Sequence, residues 1–579
     1  MNTISRVELL IYSAIYCSLL LGLHLHCAKT DVAAYKDLPR GARRIVRGFY
    51  NTIGTDYNEI ESYFVMGPYL ACLFVACLLV NLFNVPYKIQ VVELLSVGLM
   101  IRLYGYQLMA VIVAISILLA TTGRCLRGTR ILPQLVGLLV IGLIEKILEY
   151  VPRINFSWYL HSSSLAYAGF FSQVVRAMMV CCDYAKLQEP TGWGQLLSES
   201  IGFQAMAGVF MPASFVVFTD WQRWRNGEFK FVWSKPFHLA PEKRVGSATV
   251  LRTLSFWRLS GHAAKIAFWT AVHKYLLCSI DIIGVVIGPT QRILTDHGTP
   301  MDWVIICFTC YTFLVRFTLF YVIFYELSRL VGDFQQFLLS PAFSPNTLEL
   351  VRGDPLAAKF WKQASLVERW IRVEVTVECL MPEGPCCTMI AFTSSEIWRF
   401  FDTGLYNVLK HYIYIPWMEV VTMVTYGNKD NLRGQTSPVV QNIAAVFGAV
   451  FTFLFVLTFH GWNKGNYVWV TISFVLWMIE RFVAKANRTY ALSDNLSKRL
   501  GAAWEQRIRC AACSGLQMIN LLSFSFFVTS YDSAWFLVDS TPARPYVALP
   551  FWFVLYCSLQ MKIGLMSCNW CGIASLWTF

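Results

Sequence analysis

The chain has 579 residues, 56% of them hydrophobic and 14% charged, and its mean hydropathy is +0.50. Soluble domains carry about 25% charged residues, so a soluble globular protein is excluded, and the absence of alternating strand patterns excludes a barrel. The net charge of +13 fits basic loops at a membrane face and contact with anionic lipid; no soluble domain accompanies it, so nucleic acid is not an expected partner.

Apolar runs predict helical spans at Leu9–Leu25, Tyr63–Phe83, Val91–Ala120, Ile131–Glu149, Ile201–Phe218 and Ala263–Ile287. Further runs follow at Trp303–Leu330, Asn442–Phe459, Tyr467–Ile479, Ile508–Val528 and Val547–Leu565. A helix rises ~1.5 Å per residue, so ~20 apolar residues cross the ~30 Å hydrocarbon core. The expected fold is all-α and polytopic: about 10–12 transmembrane helices, with re-entrant or interfacial segments around a central cavity. The first run is longer than a signal-peptide core and lacks a small-x-small site, which predicts a retained helix. Val91–Ala120 is long enough to be tilted or broken, and Arg102 interrupts it.

Basic stretches at Lys36 to Arg47, Arg124 to Arg130, Arg223 to Arg258 and Arg481 to Arg509 mark the cytosolic side. Counting crossings between them works if Asn155 to Cys182 does not cross, and its mixed composition suits an interfacial or re-entrant segment. Leu330 to Asn442 is too apolar for a linker and too interrupted for clean spans; broken backbone at membrane depth is tolerated where protein or water buries it, as around a cavity. The chain is thus expected to be one membrane domain: N-terminal spans over 1–330, a core segment over 331–480 and C-terminal spans over 481–579. No internal repeat is present, which argues against inverted-repeat transporters.

The 18 cysteines lie largely in or beside spans, unlike a disulfide scaffold. Cys510/Cys513 and Cys568/Cys571 have CxxC spacing, but no zinc-ribbon spacing links the pairs, and no metal site is expected. S-palmitoylation is expected of some juxtamembrane thiols, including Cys181 and Cys182.

One ionisable group stands out. His460 ends the uncharged run Ile443 to Phe459, and an ionisable residue there marks a functional site if a partner can be named. The candidate partner is Asp402, 58 residues earlier. The stretch Trp398-Arg399-Phe400-Phe401-Asp402-x-Gly404-Leu405, followed by Tyr412-Ile413-Tyr414-Ile415-Pro416, resembles the signature of the membrane-bound O-acyltransferase superfamily, and within it the Hedgehog acyltransferase branch. Phe459-His460-Gly461 is similar to the family's Trp-His-Gly landmark, with phenylalanine in place of tryptophan; a weaker likeness surrounds Phe210, Met211 and Pro212. The recognisable part runs from Glu396 to Trp469.

The resemblance implies a protein N-acyltransferase of the endoplasmic reticulum or Golgi membrane. It would transfer palmitate from palmitoyl-CoA to the N-terminal cysteine amine of a secreted Hedgehog-like protein. His460 and Asp402 would be its catalytic pair, and Trp398 and Arg399 would line the cavity. It further implies that Cys387, or its neighbour Cys386, is able to ligate haem b. A histidine can take the amine proton or hydrogen-bond the thioester carbonyl; an aspartate can orient the imidazole or act as base itself, since burial would raise its pKa. Asp402 can equally form an ion pair with Arg399 within one helical turn. The rival readings are an O-acyltransferase of the glycerol-uptake type acting on lipid or GPI-anchor hydroxyls, and a non-enzymatic relative with the same fold.

Overall fold

In the computed structural model the described residues are 6–26, 38–47 except 39, 67–150, 163–187, 192–206, 215–228, 231–233, 250–277, 282–340, 374–382, 391–426, 437–541 and 544–567, with isolated residues between 359 and 371. They form an all-α polytopic membrane protein. Six helices are long and apolar enough to cross a membrane: Tyr106–Cys125, Pro300–Leu338, Val439–His460, Lys464–Tyr490, Ala502–Val528 and Pro545–Ile563. Val7–Ser18, Gly67–Leu82 and Leu132–Ile144 are shorter apolar helices.

In chain order the helices are α1 (Arg6–His26), α2 (Gly67–Leu82), α3 (Lys88–Tyr104), α4 (Tyr106–Cys125), α5 (Leu132–Tyr150), α6 (Ser163–Lys186), α7 (Trp193–Gln204) and α8 (Phe218–Arg225). Then come α9 (Phe256–Ala271), α10 (Ile282–Leu294), α11 (Pro300–Leu338), α12 (Ser394–Phe400), α13 (Thr403–Val408) and α14 (Ile415–Tyr426). The C-terminal part holds α15 (Pro438–His460), α16 (Lys464–Tyr490), α17 (Leu492–Leu500), α18 (Ala502–Val528), α19 (Tyr531–Ser540) and α20 (Pro545–Ser567). A small antiparallel sheet, absent from the expected fold, joins β1 (Phe231–Trp233), β2 (Val250–Ser255) and β3 (Glu374–Cys379) in the order β1-β3-β2. It ties the segment before α9 to the segment before α12.

Val91–Ala120 is broken, not merely tilted: α3 and α4 meet at Gly105, whose φ of 82° is open to glycine without strain. The described part of the segment expected at an interface, from Ser163 onward, is instead a central helix. Along α6, Phe170 to Ala185 is buried almost throughout, including Gln173 and Arg176. The Gly128 amide donates to the Ala185 carbonyl at 2.9 Å, so α4 and α6 end at the same side, with α5 leaving that side between them. α6 therefore returns across the bundle. Its composition is mixed because a helix sheathed in protein need not be apolar toward lipid. Conversely, Ile201–Phe218 is not one helix: α7 stops at Gln204, and Val217 is extended before the polar α8. Exchanging one crossing for the other leaves the side of the basic stretch at Arg223 unchanged.

Of Ala263–Ile287 the described parts are α9 with its π-helical continuation Val272–Leu277 and the start of α10; residues 278–281 lie outside the described residues. Cys181 and Cys182 lie on the buried face of α6, which removes them from any palmitoylating enzyme and corrects that expectation. Gly123 of α4 lies so close to the backbone of Cys181 that a Cβ would fall 2.3 Å from its carbonyl oxygen. The first helix is an integral part of the bundle: Arg507 of α18 makes a bidentate ion pair with Glu8 at 2.9 Å.

Candidate functional site

The interrupted region between Leu330 and Asn442 is made of short helices in its described part. Thr393 caps α12, accepting the Glu396 amide at 3.0 Å. From α16, the Glu480 carboxylate accepts the amides of Ser394 and Ser395, the latter at 3.0 Å, which satisfies orphan donors at the helix start and suits its positive end. Glu396 is paired with Lys562 of α20 at 2.6 Å. The helix carrying Trp398 and Arg399 is therefore clamped between two long helices.

α12 ends at Phe400, and Asp402 caps α13, its Oδ1 accepting the Leu405 amide at 2.8 Å. The same oxygen accepts the hydroxyl of Tyr325, a fully buried residue of α11. Asp402 is half-buried, and Oδ2 has no hydrogen-bond partner among the described residues. The chain then continues through a π-helical turn, Leu409–Tyr414. Pro416 lies two residues beyond, lacks an amide hydrogen and crowds the preceding turn, which accounts for the widened winding. Tyr412 anchors this turn by donating to Asp183 of α6 at 2.5 Å.

His460 is the last residue of α15. Asn466 donates to the carbonyls of His460 and Gly461 at 2.7 and 2.9 Å, which fixes the turn into α16. Gly461 has φ 93°, a conformation that a side chain would strain. The imidazole is half-buried and has no side-chain hydrogen bond among the described residues. Three rings hold it edge-to-face: Phe459 at 4.9 Å, Trp469 at 5.5 Å and Phe527 at 4.7 Å between centroids.

The same wall reaches the Asp402 segment. Trp398 stacks on Trp469 at 5.4 Å, and Phe401 meets Phe317 at 6.1 Å and Phe524 at 5.9 Å. Phe317 and Phe524 in turn meet Phe527 at 6.2 and 5.6 Å. On the other side, the Phe459 ring meets the Phe215 ring at 6.3 Å, and Gly404 packs on the Phe215 backbone. His460 and Asp402 thus flank one aromatic wall, each with unfilled hydrogen-bonding capacity.

No hydrogen bond joins the two; the Asp402 carboxylate is held by α11 and α13. Arg399 is exposed and forms no ion pair with Asp402, which corrects that reading. The helical turn between them ends at Phe401, and the cap geometry turns Asp402 toward Tyr325. Cys386, Cys387, Cys568, Cys571 and the Phe210–Pro212 stretch lie outside the described residues. Cys510 and Cys513 sit one turn apart on α18, and the described residues hold no group of three or more His, Cys, Asp or Glu side chains. Sequence reasoning missed Tyr325; its one signal was a phenol beside a glutamate at the end of an apolar run.

The fold and this site define a multi-pass helical membrane protein with two polar groups held at an aromatic wall. No protein-family model matches the chain. Over 140 residues it is 26% identical to the protein-cysteine N-palmitoyltransferase HHAT of the mouse, Mus musculus, a match that spans 24% of this chain and 24% of the mouse protein. Over that quarter, the chain is similar to a membrane acyltransferase.

Proposed function

We propose that the protein is an acyl-CoA-dependent N-acyltransferase that moves palmitate from palmitoyl-CoA to the N-terminal cysteine amine of a Hedgehog-like secreted protein, in the endoplasmic reticulum or Golgi membrane. The observation that carries this reading is the joining of Trp398–Asp402 to His460 through the Trp398–Trp469 stack and the Phe527 ring. The similarity to the mouse palmitoyltransferase supports the donor and acceptor classes.

The reaction needs little from the protein. The amine nitrogen attacks the thioester carbonyl carbon and forms the C–N bond. The tetrahedral intermediate collapses, the C–S bond breaks, and the sulfur leaves with the electron pair. The proton lost by the amine ends on the CoA thiol. The free carboxylate oxygen of Asp402 is suited to take that proton. The imidazole of His460, which no carboxylate among the described residues contacts, is suited to donate an N–H to the carbonyl oxygen as negative charge develops. The aromatic wall, with Trp398 in it, keeps water from the thioester.

The test is direct. Purified protein with labelled palmitoyl-CoA and a peptide bearing a free N-terminal cysteine forms the amide. Acylation of a lipid or GPI hydroxyl without acylation of the peptide would select the O-acyltransferase reading, and no transfer to either would leave a non-enzymatic relative. Tyr325→Phe removes the hydroxyl that fixes Asp402 and retains the ring. A hydrogen bond to a charged group contributes ~1.5–3 kcal/mol, so turnover is expected to fall roughly 10- to 100-fold with protein yield unchanged. Unchanged turnover would remove Tyr325 from the site.

A further inference from the structure

The four basic stretches do not share one end of the bundle. Three of them meet at the last turn of α6. Gly128 donates to the Ala185 carbonyl at 2.9 Å. Tyr184 and Gln222 both donate to Glu199, at 2.8 and 2.6 Å, which brings Arg223 to the same end. Asp183 accepts from Tyr412, and Arg481 lies against Tyr414, two residues on. α18 starts in the last of these stretches and crosses the bundle; Arg507 and Val528 are ~32 Å apart along its axis. α19 follows at once, and a short helix, 40–47, is built on it. Asp532 pairs with Arg44 at 2.6 Å, and the Ser533 hydroxyl donates to the Ile45 carbonyl at 2.7 Å. Helix 40–47 therefore lies at the end opposite the other three stretches. Those three mark the cytosolic side by their charge. The contacts thus correct the assignment of the described part of Lys36 to Arg47, which stands on the extracytosolic side.

Leu38, just before this helix, and Ala42 and Val46 within it are buried, while Arg40, Arg43, Arg44 and Arg47 are exposed. Asp532 answers one of the four charges. Arg43 donates to the Leu38 carbonyl at 3.0 Å. Arg40 and Arg47 have no ion pair among the described residues. The anionic lipid that attracts such clusters belongs to the cytosolic leaflet. Carboxylates of a protein are the remaining match for guanidiniums on the far side. The helix also stands near the reaction site. Phe527 meets His460 edge-to-face, and its neighbour Phe526 meets the rings of Tyr531 and Trp535 in α19 at 5.9 and 6.1 Å.

We propose that helix 40–47 is a docking surface, outside the reaction site, for an acidic segment of the protein acceptor arriving from the extracytosolic side. That the partner is an acceptor rests on the acyltransferase reading; the preference of the surface for acidic peptide does not. The flanking sequence holds acids of its own, Asp56, Glu59 and Glu61 among them, and they are the rival occupant.

The test gives two labelled peptides to full-length protein in non-ionic detergent. Both begin with the same eight residues, an N-terminal cysteine first; one continues into a glutamate-rich segment, the other has glutamine at each of those glutamates. Wild type is expected to bind the acidic peptide about tenfold more tightly at low salt, and the gap is expected to close at high salt. In Arg40→Gln/Arg47→Gln, which leaves the Arg44–Asp532 anchor in place, the preference is expected to fall to twofold or less. Arg124→Gln, which removes a charge at the opposite end, is expected to keep it. Equal binding of both peptides by wild type, binding of neither, or a preference that survives in Arg40→Gln/Arg47→Gln overturns the proposal. A preference that emerges only in Asp56→Asn/Glu59→Gln/Glu61→Gln also overturns it, and assigns the arginines to the chain's own acids. Acyl transfer to the same peptides reads separately. Transfer to both with one KM and equal binding sinks the docking surface and leaves the acyltransferase. A preference that depends on Arg40 and Arg47, without transfer to either peptide, does the reverse.

Discussion

Asp402→Asn is expected to reduce acyl transfer to the peptide by roughly 10²–10⁴-fold, the usual worth of a positioned base, and His460→Ala by roughly 10²–10³-fold, that of one oxyanion donor, with the protein still extracted as a monodisperse species. The choice of substitution matters. Asp402→Ala would strip the cap from α13, which costs about 1 kcal/mol, and would leave the buried Tyr325 hydroxyl unsatisfied, costing about 1–3 kcal/mol more. Asparagine keeps an oxygen for both the Leu405 amide and the Tyr325 hydroxyl and loses the basic carboxylate. A loss of activity in Asp402→Asn therefore reports chemistry. Activity that survives in asparagine and vanishes in alanine would make Asp402 a structural cap. Among the described residues His460 has three ring contacts, each worth ~0.5–1.5 kcal/mol, and no side-chain hydrogen bond, so its truncation is tolerable to the fold. Retained transfer in His460→Ala would end its assignment.

What was legible in the sequence follows from what hydropathy measures. Helices that face lipid, such as α15 and α20, announce themselves, because lipid demands an apolar surface. α6 did not, because its neighbours are protein, and Arg176, Gln173 and Asp183 are buried without offending the bilayer. The break at Gly105 was foreshadowed by excess length, but its position was not, since glycines also occur within continuous helices. His460 and Asp402 were visible as costly residue types at unusual places. Their relation was not: what holds Asp402 is Tyr325, 77 positions away on a different helix. What holds His460 is a set of rings from three segments, and aromatic side chains are too common in this chain for any of them to stand out. The ion pair with Arg399, natural for residues three apart in a helix, fails because the helix ends between them.

Gly404→Ala tests whether the two halves of the site depend on one contact. A Cβ at Gly404 would lie 2.8 Å from the Phe215 carbonyl oxygen, 2.9 Å from its amide nitrogen and 3.2 Å from Pro382. The first two are backbone atoms and cannot rotate aside, so either α13 or the strand-like Val216–Val217 segment must move. On one side of this contact is Asp402, two residues before Gly404. On the other is the Phe215 ring, packed on Phe459 next to His460. The methyl group wedges the two apart. Overpacking of this kind costs about 1–3 kcal/mol of stability, and a misplacement of ~1 Å at reacting groups costs ~10²-fold in rate. Gly404→Ala is therefore expected to lose roughly 100-fold in turnover per folded molecule, beyond what its lowered thermal midpoint accounts for. Gly298→Ala is the matched control: its Cβ would lie 2.7 Å from Ile293 Cγ1 and 2.9 Å from Ile293 Cα, a comparable clash, in the connection between α10 and α11 and away from Asp402 and His460. It is expected to lower the midpoint by a similar amount and to keep turnover per folded molecule within severalfold of wild type. Equal losses of turnover in both variants would show that activity follows global stability and that the Gly404–Phe215 contact has no particular role in aligning the site.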